Sequence, residues 1–334
     1  MSVILEKLLS SSVLGGLVNR VFGAHVTIFT LHRSESKDGA YQGTPPAILE
    51  KCLQYAQSHQ FQFASVDELV DMARRGERLR RPTLCFTLDD GYQDQLDELV
   101  PILLQYKAKP TLYVITDLVD HADWPWDAKL AYIIWQSSAQ FSRFNFEGQV
   151  IPVDLSTLAG RTETRRRLNA FIKSLNADQL ARCMVAIVEQ FAVEPPASAP
   201  PQYKPSTWSR LREFEAQGLR IGSHGQTHLT LNMLSDSAVL GELMHANARL
   251  SAEIANPSRV FCYPSGTAAD FSAKHEPLVQ QAGFIGAVSC ISKTNTAAQI
   301  KSGPFHIHRI GFPKQPNAFA RYASWVEFLR DKWR

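Results

Sequence analysis

The chain has 334 residues, of which 45% are hydrophobic and 20% are charged, a composition typical of a globular protein with a sizeable core. Its 35 basic and 32 acidic residues give a net charge of +3, which is too small to indicate a nucleic-acid-binding protein. Scattered cysteines without a Cys-x-x-Cys pair argue against a zinc ribbon or a disulfide framework, and no apolar stretch is long enough to span a membrane.

The first 24 residues are predicted to form an N-terminal amphipathic helix. Leu5, Leu9, Leu17 and other apolar residues recur near helical spacing, and charged residues interrupt them on both sides. A signal peptide has its charges first and then a clean apolar block, so this stretch does not match one. We expect the helix to pack on the body of the protein or on a partner, with interfacial membrane contact as the alternative. We also expect a cytoplasmic location.

Short apolar strands then alternate with helices as far as residue 116. The predicted strands are residues 26–31, 83–88 and 111–115, and the predicted helices are residues 47–58, 66–74 and 93–107.

The pattern changes between residues 117 and 206, which we predict to be a mainly helical insertion. Residues 144–153 alternate like a hairpin, residues 161–191 are typical of two helices, and residues 194–205 contain five prolines and resemble a linker. The insertion could shape a substrate cleft, or serve as structural packing or an oligomer interface.

Alternation resumes after residue 206. The predicted strands are residues 219–222, 259–262, 284–289 and 306–312, and the predicted helices are residues 208–217, 236–255, 273–282 and 319–333. Strands alternating with helices predict a parallel α/β fold, with residues 25–116 and 207–334 together forming a (β/α) barrel.

Two adjacent carboxylates, Asp89 and Asp90, end the strand at residues 83–88, and Gly91 follows them. Buried acids at the end of a core strand must be paired, hydrogen-bonded or bound to a metal. The simpler interpretation is a turn, because Asp-Gly is a common turn pair.

A second motif, Ser-His-Gly-Gln-Thr-His, follows the strand at residues 219–222. Its histidines, His224 and His228, are four residues apart, a spacing that places both imidazoles on one side of a helical turn. Together with Asp90 they would give a zinc ion three protein ligands and leave a position open for water.

These motifs resemble those of the polysaccharide deacetylases, the NodB-homology group or carbohydrate esterase family four. Thr-Leu-Asp-Asp-Gly is similar to the first family motif, Ser-His-Gly-Gln-Thr-His to the second, and Tyr263-Pro-Ser-Gly to the third, in the family's order. The resemblance implies a distorted, incomplete barrel of about seven strands. It also implies a divalent metal at Asp90, His224 and His228, with zinc first and nickel, cobalt or manganese as alternatives.

The resemblance assigns further roles. It implies that Asp89 is the general base, that the backbone near Tyr263 helps to hold the oxyanion, and that a histidine is the general acid. In a circularly permuted subgroup this histidine follows the first strand, as His32 does here, and His308 near the C-terminus is the second candidate.

Two other assignments concern the base and the sugar. The family often has an arginine in its third motif that orients the base, but Cys262 stands there, and Arg309 is the candidate replacement, ahead of Arg259. Arg309 could equally be a surface residue. Tyr92 and Trp124 could line a sugar site, although aromatic residues more often pack in a core.

The predicted function is therefore metal-dependent hydrolysis, in which a metal-bound water removes N-acetyl groups from amino sugars of a polysaccharide or its precursor. The alternatives are an O-acetyl esterase, a sugar deformylase, or a non-catalytic carbohydrate-binding protein. Basic clusters, such as the run at residues 165–167, are either solvated helix faces or contacts to a lipid-linked substrate or a membrane surface.

Overall fold

A computed structural model describes residues 12–35, 43–121 and 123–333. Its main sheet has seven strands, which are β1 (His25–Leu31), β2 (Gln62–Phe63), β3 (Thr83–Asp90), β4 (Thr111–Val114), β7 (Arg220–Ser223), β10 (Asn295–Thr296) and β11 (Ile310–Gly311). The strand order is β10-β1-β3-β4-β7, with β11 pairing with β1 and β2 with β3. The predicted mixed α/β fold is confirmed.

The centre of the sheet is parallel and buried. β1 pairs in parallel with β3, β3 with β4, and β4 with β7, so the C-terminal ends of these strands lie along one edge. Every residue of β1 is buried, as expected for a parallel strand covered on both faces. The antiparallel β10 is the exception to the predicted parallel pattern.

A second parallel pair, β8 (Val260–Cys262) and β9 (Gly286–Val288), lies beside β7 and β11. The Ser258 N–H donates to the Ile221 carbonyl at 2.7 Å, which links this pair to β7. On the other side, the Ser289 N–H donates to the Ile307 carbonyl at 2.8 Å, just before β11. Backbone hydrogen bonds thus connect the second pair to β7 and to the segment just before β11.

The helices that cover the sheets vary widely in length. They are α1 (Ser12–Phe22), α2 (Pro46–Ser58), α3 (Val66–Arg74), α4 (Val100–Gln105), α5 (Thr116–Val119), α6 (Trp126–Gln136), α7 (Leu158–Ile172), α8 (Ala177–Phe191), α9 (Trp208–Glu215), α10 (Asp236–Glu253), α11 (Glu276–Gln281), α12 (Ala297–Ser302), α13 (Pro316–Ala323) and α14 (Trp325–Lys332). No helix in the described part of the chain is long and apolar enough to cross a membrane.

The residues between α5 and α9 have their own apolar cluster. Helices α6, α7 and α8 pack there with the antiparallel hairpin β5 (Arg143–Phe146) and β6 (Gln149–Pro152). Phe144, Leu168 and Ile187 are fully buried in this cluster. The two helices and the hairpin agree with the sequence prediction, but α6 was missed.

Three predicted helices are interrupted. Residues 93–107 begin with a π-helical turn, Gln95–Leu99, before α4, and residues 273–282 begin with a 3₁₀ turn before α11. Residues 319–333 fall into α13 and α14, because the Ser324 side chain caps α14 by accepting a hydrogen bond from the Val326 N–H.

Other differences are at the ends of the chain. The final strand is the short β11 with an isolated bridge at Ile307, and neither β10 nor α12 was predicted. The first half of the predicted N-terminal helix, residues 1–11, lies outside the described residues, whereas α1 covers its second half. Phe22 of α1 contacts Phe328, with ring centroids 6.4 Å apart.

Candidate metal centre

The end of β3 carries the two predicted carboxylates. Asp89 and Asp90 are its last residues, and β3 lies inside the sheet between β1 and β4. Gly91 follows with a φ of +95°, and a Cβ at this position would lie 3.0 Å from Cγ1 of Val114. The turn that leaves the strand therefore requires glycine.

Asp90 faces both predicted histidines. Its Oδ1 lies 3.7 Å from Nε2 of His224 and 3.6 Å from Nε2 of His228. Two atoms bound to one tetrahedral zinc ion are about 3.4 Å apart, given bonds of about 2.0–2.1 Å. These three residues, the candidate metal triad, therefore have the spacing of ligands around one divalent cation.

The other nitrogen of each imidazole has its own partner. Nδ1 of His224 is 2.9 Å from the Cys262 carbonyl, and Nδ1 of His228 is 3.2 Å from Oδ1 of Asp127. In the neutral imidazole, donation from Nδ1 to these oxygens leaves Nε2 with its lone pair toward Asp90. Metal-binding histidines are usually oriented by such partners, so the donor set fits a metal ion.

The electrostatics of the pocket agree with this fit. Burial lowers the pKa of His224 to about 3, so this imidazole is neutral, as a metal ligand must be. Burial also lowers the pKa of His228, but the Asp127 and Asp90 carboxylates outweigh it and raise the pKa to about 9. The surroundings of His228 thus favour a positive charge, which a bound cation would supply.

Asp89 is held by Arg309. Nη1 of Arg309 donates to Oδ1 at 2.7 Å, and Nη2 donates to Oδ2 at 2.8 Å. Arg309 is itself buried and also donates to the Thr87 hydroxyl and the Ser289 carbonyl, both at 3.0 Å. Burial raises the pKa of Asp89, but the guanidinium outweighs it and holds the pKa well below its usual range. Asp89 is therefore ionised and fixed in orientation.

A second group of donors, Asp89, His224 and Cys262, also lies close together in the described part of the chain. Burial raises the pKa of the Cys262 thiol well above its ordinary value, which disfavours the thiolate that a metal requires. Both oxygens of Asp89 already accept hydrogen bonds from Arg309. The candidate metal triad is the better cation site of the two.

A cleft with a volume of about 680 Å³ opens over Asp90. The residues that line it come from the ends of β1 and β11, from α6 and α7, and from the segment at residues 202–203. Among the lining side chains are His32, Asp90, Tyr92, Asp127, Trp135 and Arg165. The cleft is large enough for at least one sugar ring beside the candidate metal triad.

The two candidate general acids, His32 and His308, have different surroundings. Nε2 of His32 lies 3.7 Å from Oδ2 of Asp89, and its side chain is 54% exposed in the cleft. His308 exchanges backbone hydrogen bonds with the Asn295 side chain, and its charged neighbours are Lys293 and Asp331. Of the two, His32 is the histidine beside Asp89.

The three aromatic residues predicted near the sugar also lie in different places. Tyr92 lines the cleft, with the Arg33 guanidinium 4.1 Å from its ring centre. Trp124 instead lines another cavity, and its Nε1 donates to the Pro196 carbonyl. The Tyr263 ring is buried against Phe271.

The third motif differs from the predicted arrangement in a further way. The Tyr263 N–H donates to the Val288 carbonyl at 3.2 Å, so this particular N–H takes part in sheet pairing. Arg259, the second candidate for orienting the base, pairs with Asp71 at 2.6 Å on the surface.

Unusual backbone conformations occur in all three motifs. Asp90, His228 and Ser265 have φ values of +86°, +66° and +59°. Positive φ is uncommon for residues other than glycine and is often found at functional sites, where the surrounding structure maintains the strain.

Sequence analysis missed two residues at the site. Asp127 orients His228 although 101 positions separate them, and no local pattern marked it. Trp135 lines the cleft and is 41% exposed, unusual for a tryptophan. Its place on α6 would have been the signal, but that helix was not predicted.

Comparison with known proteins relates these motifs to a family. Residues 163–285 match the family model described as Polysaccharide deacetylase, a range that includes His224, His228 and Tyr263 but neither Asp89 nor Asp90. No curated protein sequence matches the chain.

Several solved structures share the fold. The Streptococcus pyogenes deacetylase PplD, solved with acetate, has 15% identity and a TM-score of 0.59 over 90% of this chain and 99% of that one. IcaB from Ammonifex degensii has 13% identity and a TM-score of 0.55 over 91% and 98%. The polysaccharide deacetylase BC0361 from Bacillus cereus has 12% identity and a TM-score of 0.56 over 90% and 69%. The predicted resemblance to the polysaccharide deacetylases, which are hydrolases, is confirmed.

Proposed function

We propose, because the chain resembles the polysaccharide deacetylases, that it removes N-acetyl groups from amino sugars of a polysaccharide or its precursor. The observation that carries the proposal is the meeting of two strand ends, where Oδ1 of Asp90 lies within 3.7 Å of both imidazole Nε2 atoms. Asp89, one residue earlier, is left outside this group and faces Arg309 instead.

The fold is part of the same proposal. We interpret the main sheet and the pair β8–β9, joined by the Ser258 and Ser289 hydrogen bonds, as the distorted, incomplete barrel. The barrel segments at residues 25–116 and 207–334, with an insertion at residues 117–206, remain proposed boundaries.

Asp90, His224 and His228 would hold a divalent metal, with zinc as the first choice because of the imidazole donors. When bound, the metal polarises the amide carbonyl and makes a bound water more acidic. Asp127 and the Cys262 carbonyl keep both imidazoles oriented with Nε2 toward Asp90, where the ion would bind.

Asp89 is the proposed general base. Its carboxylate is ionised and fixed by two hydrogen bonds from Arg309, so it can accept the proton of the attacking water. The buried guanidinium acts on the base by holding its orientation and charge, and is therefore a positioning residue.

His32 is the proposed general acid. It lies beside Asp89 and faces the open cleft, where the nitrogen of the leaving sugar would be. As the carbon–nitrogen bond breaks, protonated His32 gives its proton to this nitrogen, and acetate and a free amino sugar result.

The test is acetate release from oligomers of N-acetylglucosamine, measured with metal-stripped and metal-reloaded protein. Reloaded wild type should release acetate and stripped protein should not. Asp89→Asn should lower the rate at least about 100-fold while the metal content is retained, because only the base is lost. Asp97→Asn, which changes an exposed acid of the following turn, is the matched control.

Four outcomes would contradict the proposal. An Asp89→Asn variant with wild-type rate would remove the assigned base. Acetate release from O-acetylated sugars alone would make the enzyme an esterase, and formate release from N-formylated sugars alone would make it a deformylase. A folded protein that binds saccharides but takes up no metal would be a binding module.

A further inference from the structure

The cleft over the candidate metal triad is lined by more basic than acidic side chains. The lining residues include the basic Arg33, Arg161, Arg165 and Lys314. Two acids, Asp90 and Asp127, also line it. Both acids contact His228, so they already have cationic or metal-binding partners. Arg161 and Arg165, both on α7, therefore make this side of the cleft electropositive.

Two of the arginines have structural partners. Arg33 donates to Asp94 at 2.8 Å. Arg161 donates to the carbonyls of Ser137 at 3.0 Å and Trp135 at 3.3 Å, near the C-terminal end of α6. These contacts hold both side chains in the wall of the cleft.

Arg165 differs from them. It is exposed on α7, and no hydrogen bond or ion pair joins its guanidinium to another residue within the described ranges 12–35, 43–121 and 123–333. Asp127 is the carboxylate that interacts with it electrostatically, and this acid is hydrogen-bonded to His228. The five N–H donors of the Arg165 guanidinium are thus available to a ligand in the cleft.

The same arginine borders a second cavity, of about 730 Å³. This cavity is lined by Arg165 and Asn169 of α7, by Lys173 directly after the helix, and by Thr267, Ala269 and Asp270. Positions 161, 165, 169 and 173 are four residues apart and share one face of the helix. They span about 18 Å along α7, so the face can accompany several sugar units.

We propose that this face of α7 binds an acidic saccharide chain, and that Arg165 is a specificity-determining residue. It recognises a carboxylate or phosphate group on a sugar next to the one that is deacetylated. The inference rests on the proposed function, because the reacting sugar must lie at Asp90. A guanidinium pairs with either anion through two parallel hydrogen bonds, so the shared chemistry is a negatively charged oxygen group.

The test uses three N-acetylglucosamine-containing oligosaccharides of equal length. One is neutral, one alternates with glucuronate, and one is bridged by phosphodiesters. Wild type should have a kcat/KM about tenfold higher for at least one acidic substrate, chiefly through a lower KM. The glucuronate and phosphodiester arms distinguish the two sources of charge.

Arg165→Ala should abolish this preference, and Arg165→Glu should reverse it. Arg167→Ala is the matched control, because Arg167 lies on the same helix, pairs with Glu163 and does not line either cavity. Melting temperatures would verify that all variants are folded.

Equal kcat/KM for neutral and acidic substrates, or equal effects of Arg165→Ala and Arg167→Ala, would overturn the inference and leave the proposed function intact. If no substrate is hydrolysed, the proposed function fails. Calorimetric titration of the intact chain with the same saccharides then decides the inference. The inference is supported if the wild type binds the acidic saccharides more tightly than the neutral one and Arg165→Glu removes this preference. It is overturned if the wild type binds acidic and neutral saccharides equally.

Discussion

The floor and the wall of the cleft are built in different ways. The floor is formed by the C-terminal end of β3 and the turn after β7, which carry the acids and the candidate metal ligands. Parallel pairing through β4 aligns these ends, since Asp90 lies opposite Val114 and Val114 opposite Ser223. The floor side chains are almost fully covered, and Asp89 is only 1% exposed.

The wall is formed by α6 and α7, which lie between α5 and α9 in the chain. Trp135 and Arg165 are exposed there, and few contacts fix their side chains. Asp127 is the exception, because it extends from the wall to His228 on the floor. From this difference we propose that the floor carries out the chemistry, whereas the wall selects the substrate.

The largest expected effect is on the floor. His224→Ala should remove one of three ligands and leave a void among buried groups, so the protein should lose its metal and at least about 1,000-fold in activity. Metal analysis after dialysis, together with acetate release, would verify this. His245→Ala, on α10 and outside the candidate metal triad, is the control, and retained metal in His224→Ala would contradict the ligand assignment.

A smaller loss is expected at the edge of the floor. His32→Ala should lower kcat about 100-fold with unchanged metal content, because protonation of the leaving amine is lost. The same change at His308, which contacts Asn295, should leave the rate within about twofold. A larger loss of kcat in His308→Ala than in His32→Ala would contradict the assignment of His32 and make His308 the general acid.

A substitution of Asp127 tests whether its contact with His228, which joins the wall to the floor, supports metal binding. Asp127→Asn should weaken metal affinity about 10–100-fold, because His228 loses the carboxylate that orients it. Competition with a metal chelator would measure the affinity. Asp123→Asn, which alters an exposed acid paired with Lys129, should not change it. Equal affinities in wild type and Asp127→Asn would show that the wall does not support the metal.

The smallest effect is expected from the wall alone. Trp135→Ala should raise KM about five- to tenfold with little change in kcat, if a sugar ring packs on the exposed indole. Trp333→Ala changes another exposed tryptophan, at the end of α14, and should have no effect on either constant. A change in kcat with constant KM would place Trp135 in the chemistry instead.

Sequence analysis could identify the floor because its residues lie in short motifs. Asp89-Asp90-Gly91 and the two histidines of the second motif each follow a short apolar strand, and parallel strands bring such ends together. The alternation of strands and helices likewise predicted the α/β fold. Both conclusions depend on local patterns that a single sequence contains.

The wall could not be identified in the same way. Asp127 and His228 are 101 positions apart, and their contact depends on how α6 packs against the sheet. Trp124 was chosen as a sugar contact, but its side chain lines another cavity, whereas Trp135, eleven residues later, lines the cleft. Composition does not specify which face of an unrecognised helix points toward a cleft.

X-ray absorption spectroscopy of the zinc-loaded protein tests the central claim most directly. The account predicts only nitrogen and oxygen ligands, at about 2.0–2.1 Å, with two imidazoles and a spectrum that Asp89→Asn does not change. A sulfur ligand at about 2.3 Å would place the ion at Asp89, His224 and Cys262 and would contradict the account.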